Sequence, residues 1–247
     1  PAFIADPVVV DEFQLKARVS GVPGIKRESI FHALNQKAVA RRYAKSIGKK
    51  YEELNLIVVH LGGGISVGAH RKGLVIDVNN ALNGEGPISP ERAGTVPSEA
   101  LATLCFSGKY TLNEVKKMLH GKAGLAAYLG TSDMITIEEK AIEGKEPYKT
   151  LVAAMDYTVA KEIGAMFVAL KGQCDAIILT GGIAYSDYCV ADIKEQIEYL
   201  CKVVVLPGEN EMESLAENAF GALTGELPVL TYTGVSCTEE IPGMAEA

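Results

Sequence analysis

Nowhere in this 247-residue chain does an apolar run approach the roughly 20 residues that cross a bilayer. The first ten residues also lack the basic start of a secretion signal. Both absences predict a cytosolic protein with no membrane partner. Basic clusters are missing as well, and the net charge is −7; this argues against a nucleic-acid partner, because backbone phosphates are bound by concentrated Lys and Arg. The five cysteines, Cys105, Cys174, Cys189, Cys201 and Cys237, include no C-x-x-C pair, so zinc and dithiol chemistry are set aside and reduced core thiols are expected. There is no initiator Met, and Ala2-Phe3-Ile4-Ala5-Asp6 reads as the end of a buried strand entered in mid-domain. That start predicts further sequence upstream.

Apolar residues make up 48% of the chain, enough for a substantial core in one large domain or two small ones. The most informative stretch is Leu56-Ile57-Val58-Val59-His60-Leu61-Gly62-Gly63-Gly64-Ile65-Ser66-Val67-Gly68, an apolar run, three glycines and a second apolar run. Residues without Cβ permit a tight turn and let backbone amides approach an anion. Taken alone the stretch is either an ordinary hairpin or a phosphate site. A second glycine pair ends another buried run, Ala176-Ile177-Ile178-Leu179-Thr180-Gly181-Gly182-Ile183, and the two together suggest a nucleotide gripped from two sides of one cleft. A dinucleotide fingerprint fails, since Gly62 and Gly64 would need a third glycine at Val67. A Walker A loop is absent.

Residues 29–48 carry helical periodicity, with Ser29 as N-cap, Gly48 as stop, and Phe31, Leu34, Ala38, Tyr43 and Ile47 on one face. Three strands follow at 54–61, 65–70 and 74–78, a β-meander. Residues 79–97 are dense in Gly, Pro, Asn and Ser and too long for an ordinary connection, which marks a functional loop. From 98 to 171 the pattern is helical, broken at Gly108, Gly121, Gly130 and Gly144; its longest piece, 147–171, sets Leu151, Met155, Val159, Ile163, Phe167 and Leu170 at helical spacing. A strand (176–180), a helix (186–200), a strand (202–206) and a helix (211–223) complete the order, implying parallel strands with right-handed crossovers. A meander followed by this alternation is the order of a ribonuclease H-like α/β domain, the half-molecule of the actin, sugar kinase, Hsp70 and acetate kinase superfamily. The expected division is residues 1–50 as the remainder of an amino-terminal domain, 51–230 as a complete nucleotide-binding domain with a helical insert, and 231–247 as a tail.

Four runs carry a closer resemblance: Ser29-Ile30-Phe31-His32-Ala33-Leu34-Asn35-Gln36-Lys37-Ala38, His60-Leu61-Gly62-Gly63-Gly64-Ile65-Ser66, Asn83-Gly84-Glu85-Gly86-Pro87-Ile88-Ser89-Pro90-Glu91-Arg92-Ala93-Gly94 and Leu179-Thr180-Gly181-Gly182-Ile183-Ala184. In this order they resemble the acetate kinase family and, within it, the butyrate kinases. The resemblance runs from Pro1 to about Tyr232 and implies that an amino-terminal segment of the family, with a Ser/Thr-rich phosphate loop, is missing, so that turnover is expected of the full-length enzyme and not of this chain alone. It also implies reversible transfer of the γ-phosphoryl of ATP to a short-chain carboxylate, with Mg²⁺. Butyrate or a branched relative is the expected acid. The alternatives are acetate or propionate, or a non-catalytic actin-like nucleotide-binding protein. A carboxylate needs no general base, so the chemical problem is to bring one anion onto another.

The resemblance assigns roles residue by residue. Arg92 matches an arginine that contacts the transferring phosphoryl, a task for a planar guanidinium. His32 matches a histidine that hydrogen-bonds that group, and His60, beside the glycines, either orients the turn or contacts ligand. Asp6, before Pro7, matches an active-site aspartate that holds Mg²⁺ through water or aligns the carboxylate, although Asp-Pro also forms turns. Glu213 matches a metal-associated glutamate, with Glu211 the alternative, and acidic residues in a first helical turn are also favoured by the macrodipole. Gly62, Gly63 and Gly64 fall to the phosphates, Gly181, Gly182 and Ile183 to the adenine side, and Asp133 to the ribose or to a helix cap. The family further implies a homo-oligomer, a dimer or larger ring.

Overall fold

The computed structural model describes residues 2–209 and 211–231. Five strands form one sheet: β1 (Asn55–Leu61), β2 (Ile65–Arg71), β3 (Leu74–Val78), β4 (Ala176–Thr180) and β5 (Val203–Val205), in spatial order β3-β2-β1-β4-β5. The meander β1 to β3 is antiparallel, and β4 and β5 run parallel to β1. The expected ribonuclease H-like order is therefore present. The helices are α1 (Ala33–Ser46), α2 (Ser98–Cys105), α3 (Leu112–Leu119), α4 (Gly124–Leu129), α5 (Met134–Ile142), α6 (Tyr148–Ala169), α7 (Asp187–Ile197) and α8 (Glu211–Thr224). All four glycines expected to interrupt the helical stretch do so with positive φ, between 72° and 86°.

Strand alternation divides the core in two. Ile57, Val59 and Leu61 of β1, Ile65, Val67 and Ala69 of β2, and Ile177 and Leu179 of β4 face α5, α6 and α7, where Met155, Val159 and Ile163 of α6 fill the centre. Burying side chains of this kind is worth about 1.5–3 kcal/mol each. The opposite face carries Leu56 and Val58 of β1 with Ala176 and Ile178 of β4, covered by Val39, Ala40, Tyr43 and Ala44 of α1. Toward the carboxyl ends of β1 and β4 that face turns polar, with His60 and Thr180 paired across the two strands. A third cluster, Phe13, Ala17 and Phe31 with Val75 and Val78, seats the amino-terminal segment on β3.

Three expectations need correction. Residues 2–6 form no strand, and Phe3 and Ile4 are exposed, because no neighbour among the described residues offers this segment a ladder. Ser29 does not cap α1; its hydroxyl donates to Val10 O at 2.6 Å, and His32 stands at the N-cap. The cysteines are free but not all core: Cys189 is buried, Cys174 and Cys201 are half-buried, and Cys105 is exposed at the end of a short helix with no buried residues. Cys237 and residues 232–247 of the expected tail lie outside the described residues.

Candidate phosphoryl-transfer site

The triglycine bend connects β1 to β2 in a hairpin closed by the Leu61 and Ile65 pair. Gly181 follows β4 on the neighbouring strand, φ +89°, and a Cβ there would lie 2.4 Å from Leu61 O. The two glycine sites thus stand side by side at the carboxyl ends of adjacent parallel strands, the edge where ligands gather in open α/β sheets. They do not face one another across a gap. No acceptor among the described residues takes the amides of Gly63 and Gly64.

The loop 79–97 is clamped onto that bend. Ser89-Pro90-Glu91-Arg92 makes a tight turn in which the Ser89 amide donates to Arg92 O at 3.1 Å and the Arg92 amide donates back to Ser89 Oγ at 3.1 Å. Ser89 Oγ also donates to Gly63 O at 2.7 Å, as does the Glu91 amide at 3.1 Å. This geometry sets the Arg92 guanidinium against Gly64, where a Cβ would lie 3.3 Å from Cζ. Arg92 Nη1 donates to Ala81 O at 3.2 Å, its buried Nε has no partner, and no carboxylate lies within 4.0 Å among the described residues. An oriented guanidinium without a counter-charge attracts an anion from outside the chain.

Two histidines stack beside it. The rings of His32 and His60 lie 3.8 Å apart and 12° from parallel. His32 Nδ1 is 2.8 Å from Ser66 Oγ, and His60 Nδ1 is 2.9 Å from Asn35 Oδ1. Burial first, then the Arg92 charge, lowers the His32 pKa to about 4; burial and His32 lower that of His60 to about 3. Both rings are therefore neutral at pH 7. Glu209 Oε1 lies 3.6 Å from His60 Nε2.

Of the residues expected from sequence, Arg92, His32, His60, Gly62, Gly63, Gly64 and Gly181 come together here. Gly182 and Ile183 line a groove of about 380 Å³ with Met134, Glu138, Tyr185 and Ser186. Asp133 is the residue just before that groove's Met134; it caps α5, accepting from the Ile135 amide at 3.2 Å and from Thr136 Oγ1 at 2.6 Å. Asp6 is engaged elsewhere, its carboxylate 2.7 Å from Arg41 Nη2 and 4.0 Å from Lys37 Nζ on α1. Glu213 is exposed and lies 3.6 Å from Arg42 Nη1. Sequence reasoning passed over Asn35, Gln36, Ser66, His70 and Glu209. Two signals mark the first four: Asn35 and Gln36 stand three and four residues after His32 on one helix, and Ser66 and His70 alternate on the strand face that carries His60; no local signal marks Glu209.

The chain is 71% identical over 232 residues to the "Probable butyrate kinase" of Phocaeicola vulgatus and 56% identical over 232 residues to that of Bacteroides thetaiotaomicron. Each match takes in 94% of this chain and 66% of the relative, so the chain spans just under two thirds of these relatives' length. Among solved structures, Porphyromonas gingivalis acetate kinase superposes with a TM-score of 0.74 at 21% identity, over 84% of this chain and 60% of its own. A Francisella tularensis propionate kinase gives 0.72 at 20% identity, over 82% and 59%. At these identities the superpositions establish the fold. The family model of the acetokinases matches residues 11–221, and the chain belongs to the acetokinase family.

Proposed function

We propose that the protein transfers the γ-phosphoryl group of ATP to a short-chain fatty acid, butyrate or a branched relative, and runs the reverse reaction from acyl phosphate and ADP. The observation that carries this reading is the Arg92 guanidinium, without an acid partner among the described residues and pinned against the triglycine bend. The acceptor carboxylate is already ionised at pH 7, so the site has to overcome repulsion between anions and has no proton to remove. Arg92 supplies fixed positive charge to the equatorial oxygens. His32 donates a hydrogen bond from a neutral ring, and the amides of Gly63 and Gly64 face the phosphate tail. The groove beside Gly182 and Ile183 takes the nucleoside, with Asp133 at its rim.

The family works with a divalent metal, and Mg²⁺ is the ion we propose here. Among the described residues no group of three His, Cys, Asp or Glu side chains could enclose an ion. Mg²⁺ commonly keeps water and nucleotide phosphates as ligands and takes only one or two carboxylates from protein. Glu209, exposed next to His60, fits that requirement; Glu211 and Glu213 lie on the same acidic stretch. Bound there, the ion would neutralise phosphate charge. We assign residues 51–230 to the nucleotide-binding unit and residues 1–50, with Asp6, to the acid side. A cytosolic homo-oligomer belongs to the same reading, supported by exposed apolar residues such as Met212, Phe220 and Leu223 of α8.

The test is acyl phosphate formation, trapped as the hydroxamate. Arg92→Ala is expected to lower kcat on the order of 10³-fold with nucleotide affinity unchanged, and Arg92→Lys should not restore the rate. Butyrate should be preferred to acetate only partially, since two methylenes are worth about 1.6 kcal/mol. Wild-type turnover preserved in Arg92→Ala would refute the mechanism.

A further inference from the structure

Behind His32 the buried polar side chains form a chain that satisfies its donors and acceptors in one direction. The Ser66 carbonyl can only accept, so the Gln36 group 3.1 Å from it is the amide nitrogen, and Gln36 Oε1 is left facing His70 Nε2 at 2.9 Å. An amide oxygen cannot donate, so His70 carries its proton on Nε2. Burial, reinforced by Lys37 and Arg41, lowers the His70 pKa to about 3, so the ring is neutral and its Nδ1 accepts from the Tyr51 hydroxyl at 2.7 Å. Gln36 Nε2 also donates to Ser66 Oγ at 2.7 Å. Ser66 is completely buried, and among the described residues its hydroxyl proton has one acceptor, His32 Nδ1 at 2.8 Å.

We propose that this directional chain, from Tyr51 through His70, Gln36 and Ser66 to His32, is a positioning device that holds the His32 proton on Nε2 and keeps that N–H available to the phosphoryl group. The proposal rests on the kinase reading for its purpose and on geometry for its existence. Gly68 supplies an independent observation. A Cβ there would lie 2.5 Å from Gln36 Oε1 and 3.1 Å from His70 Nε2, so the strand leaves out a side chain at the point where the chain passes.

The stacked partner is fixed in the opposite sense. Asn35 Nδ2 donates to Gly208 O at 3.3 Å and to Glu209 O at 2.9 Å, which leaves Asn35 Oδ1 to accept from the His60 Nδ1–H. His60 Nε2 is then bare, with Glu209 Oε1 3.6 Å away and beyond hydrogen-bond distance. Two parallel rings 3.8 Å apart thus present a donor from one and an acceptor from the other, a contrast their sequence contexts do not reveal.

Long-range ¹H–¹⁵N NMR on ¹⁵N-histidine-labelled protein at neutral pH, without nucleotide, reads the tautomers, because protonated and bare ring nitrogens resonate far apart. The expected spectrum has the proton on Nε2 of His32 and on Nδ1 of His60. Ser66→Ala should send His32 to a mixture of tautomers and lower kcat on the order of 10–100-fold, the range for a lost supporting hydrogen bond, with little change in KM. Ser66→Thr, which keeps the hydroxyl, should recover both. A His32 proton on Nδ1 in the wild type overturns the proposal, as does a Ser66→Ala protein with unchanged tautomer or unchanged kcat. The wild-type spectrum requires neither turnover nor a variant that folds. The expected tautomers in a full-length enzyme that forms no acyl phosphate would refute the kinase reading and uphold the chain, whereas the opposite tautomer in an active full-length kinase would refute the chain alone.

Discussion

The two faces of the sheet are built from the same strands and differ in what they bury. The face toward α6 is filled by Ile57, Val59, Leu61, Val67, Ile177 and Leu179 against a long helix whose Met155, Val159 and Ile163 are almost wholly out of solvent. The face toward α1 carries Leu56 and Val58 on β1 but also buries His60, Ser66, His70, Asn35 and Gln36, with His70 paired across from Leu56 and Ser66 across from His60. Buried polar groups cost stability unless they are hydrogen-bonded, and on the α1 face Asn35, Gln36, Ser66 and His70 all find partners. One face therefore provides cohesion, while the other spends some of it on orientation.

Cutting into the cohesive face should have the largest effect on stability. Ile163→Ala is expected to cost about 4 kcal/mol in denaturant unfolding, with the m-value unchanged and kcat close to wild type. Asp156 breaks the rule of that face from inside. It is fully buried on α6, and no nitrogen or hydroxyl donor reaches either carboxylate oxygen. Burial, with Asp192 nearby and the Cys189 thiol partly opposing, raises its pKa to about 8. A carboxyl whose folded pKa is raised costs stability as pH climbs above its unfolded value. Asp156→Asn should therefore stabilise the protein by about 3 kcal/mol at pH 7.5 and by little at pH 4; an equal change at both would remove burial of the charge as the cause.

The polar face should betray itself on acidification. His70, with its pKa lowered to about 3, binds its proton more weakly folded than unfolded, so stability falls as pH drops below about 6.5 and goes on falling toward pH 3, by about 2 kcal/mol at pH 5 for this group alone. His70→Gln should flatten that slope between pH 6.5 and 4. The smallest effect belongs to the surface: Glu213→Gln removes an exposed pair with Arg42 at 3.6 Å and should shift stability by less than about 0.5 kcal/mol.

Much of the frame was legible because period and punctuation were strong. The run from Leu56 to Leu61, the glycine bend and the stripe from Leu151 to Leu170 each have a local cause, and each formed as expected. Position within the site was harder to read. Arg92 could be named, but its place against Gly64 depends on a loop folding back onto a hairpin about 30 residues away in sequence. Glu209 approaches His60 only because the Gly208 backbone pairs with Gly181. Residues 2–6 looked like a strand because they are apolar, but a strand needs a neighbour to bond with, and no local pattern supplies one. Asp6, placed by resemblance, is seen bound to Arg41.

The central claim is that the polar face exists for chemistry, and His32→Ala tests it most directly when rate and stability are measured on the same preparation. Hydroxamate-trapped acyl phosphate from ATP and butyrate should fall on the order of 10²-fold, with the thermal midpoint within a few degrees of wild type. A variant that keeps its rate and loses its stability would make the histidine pair a structural element and contradict the account.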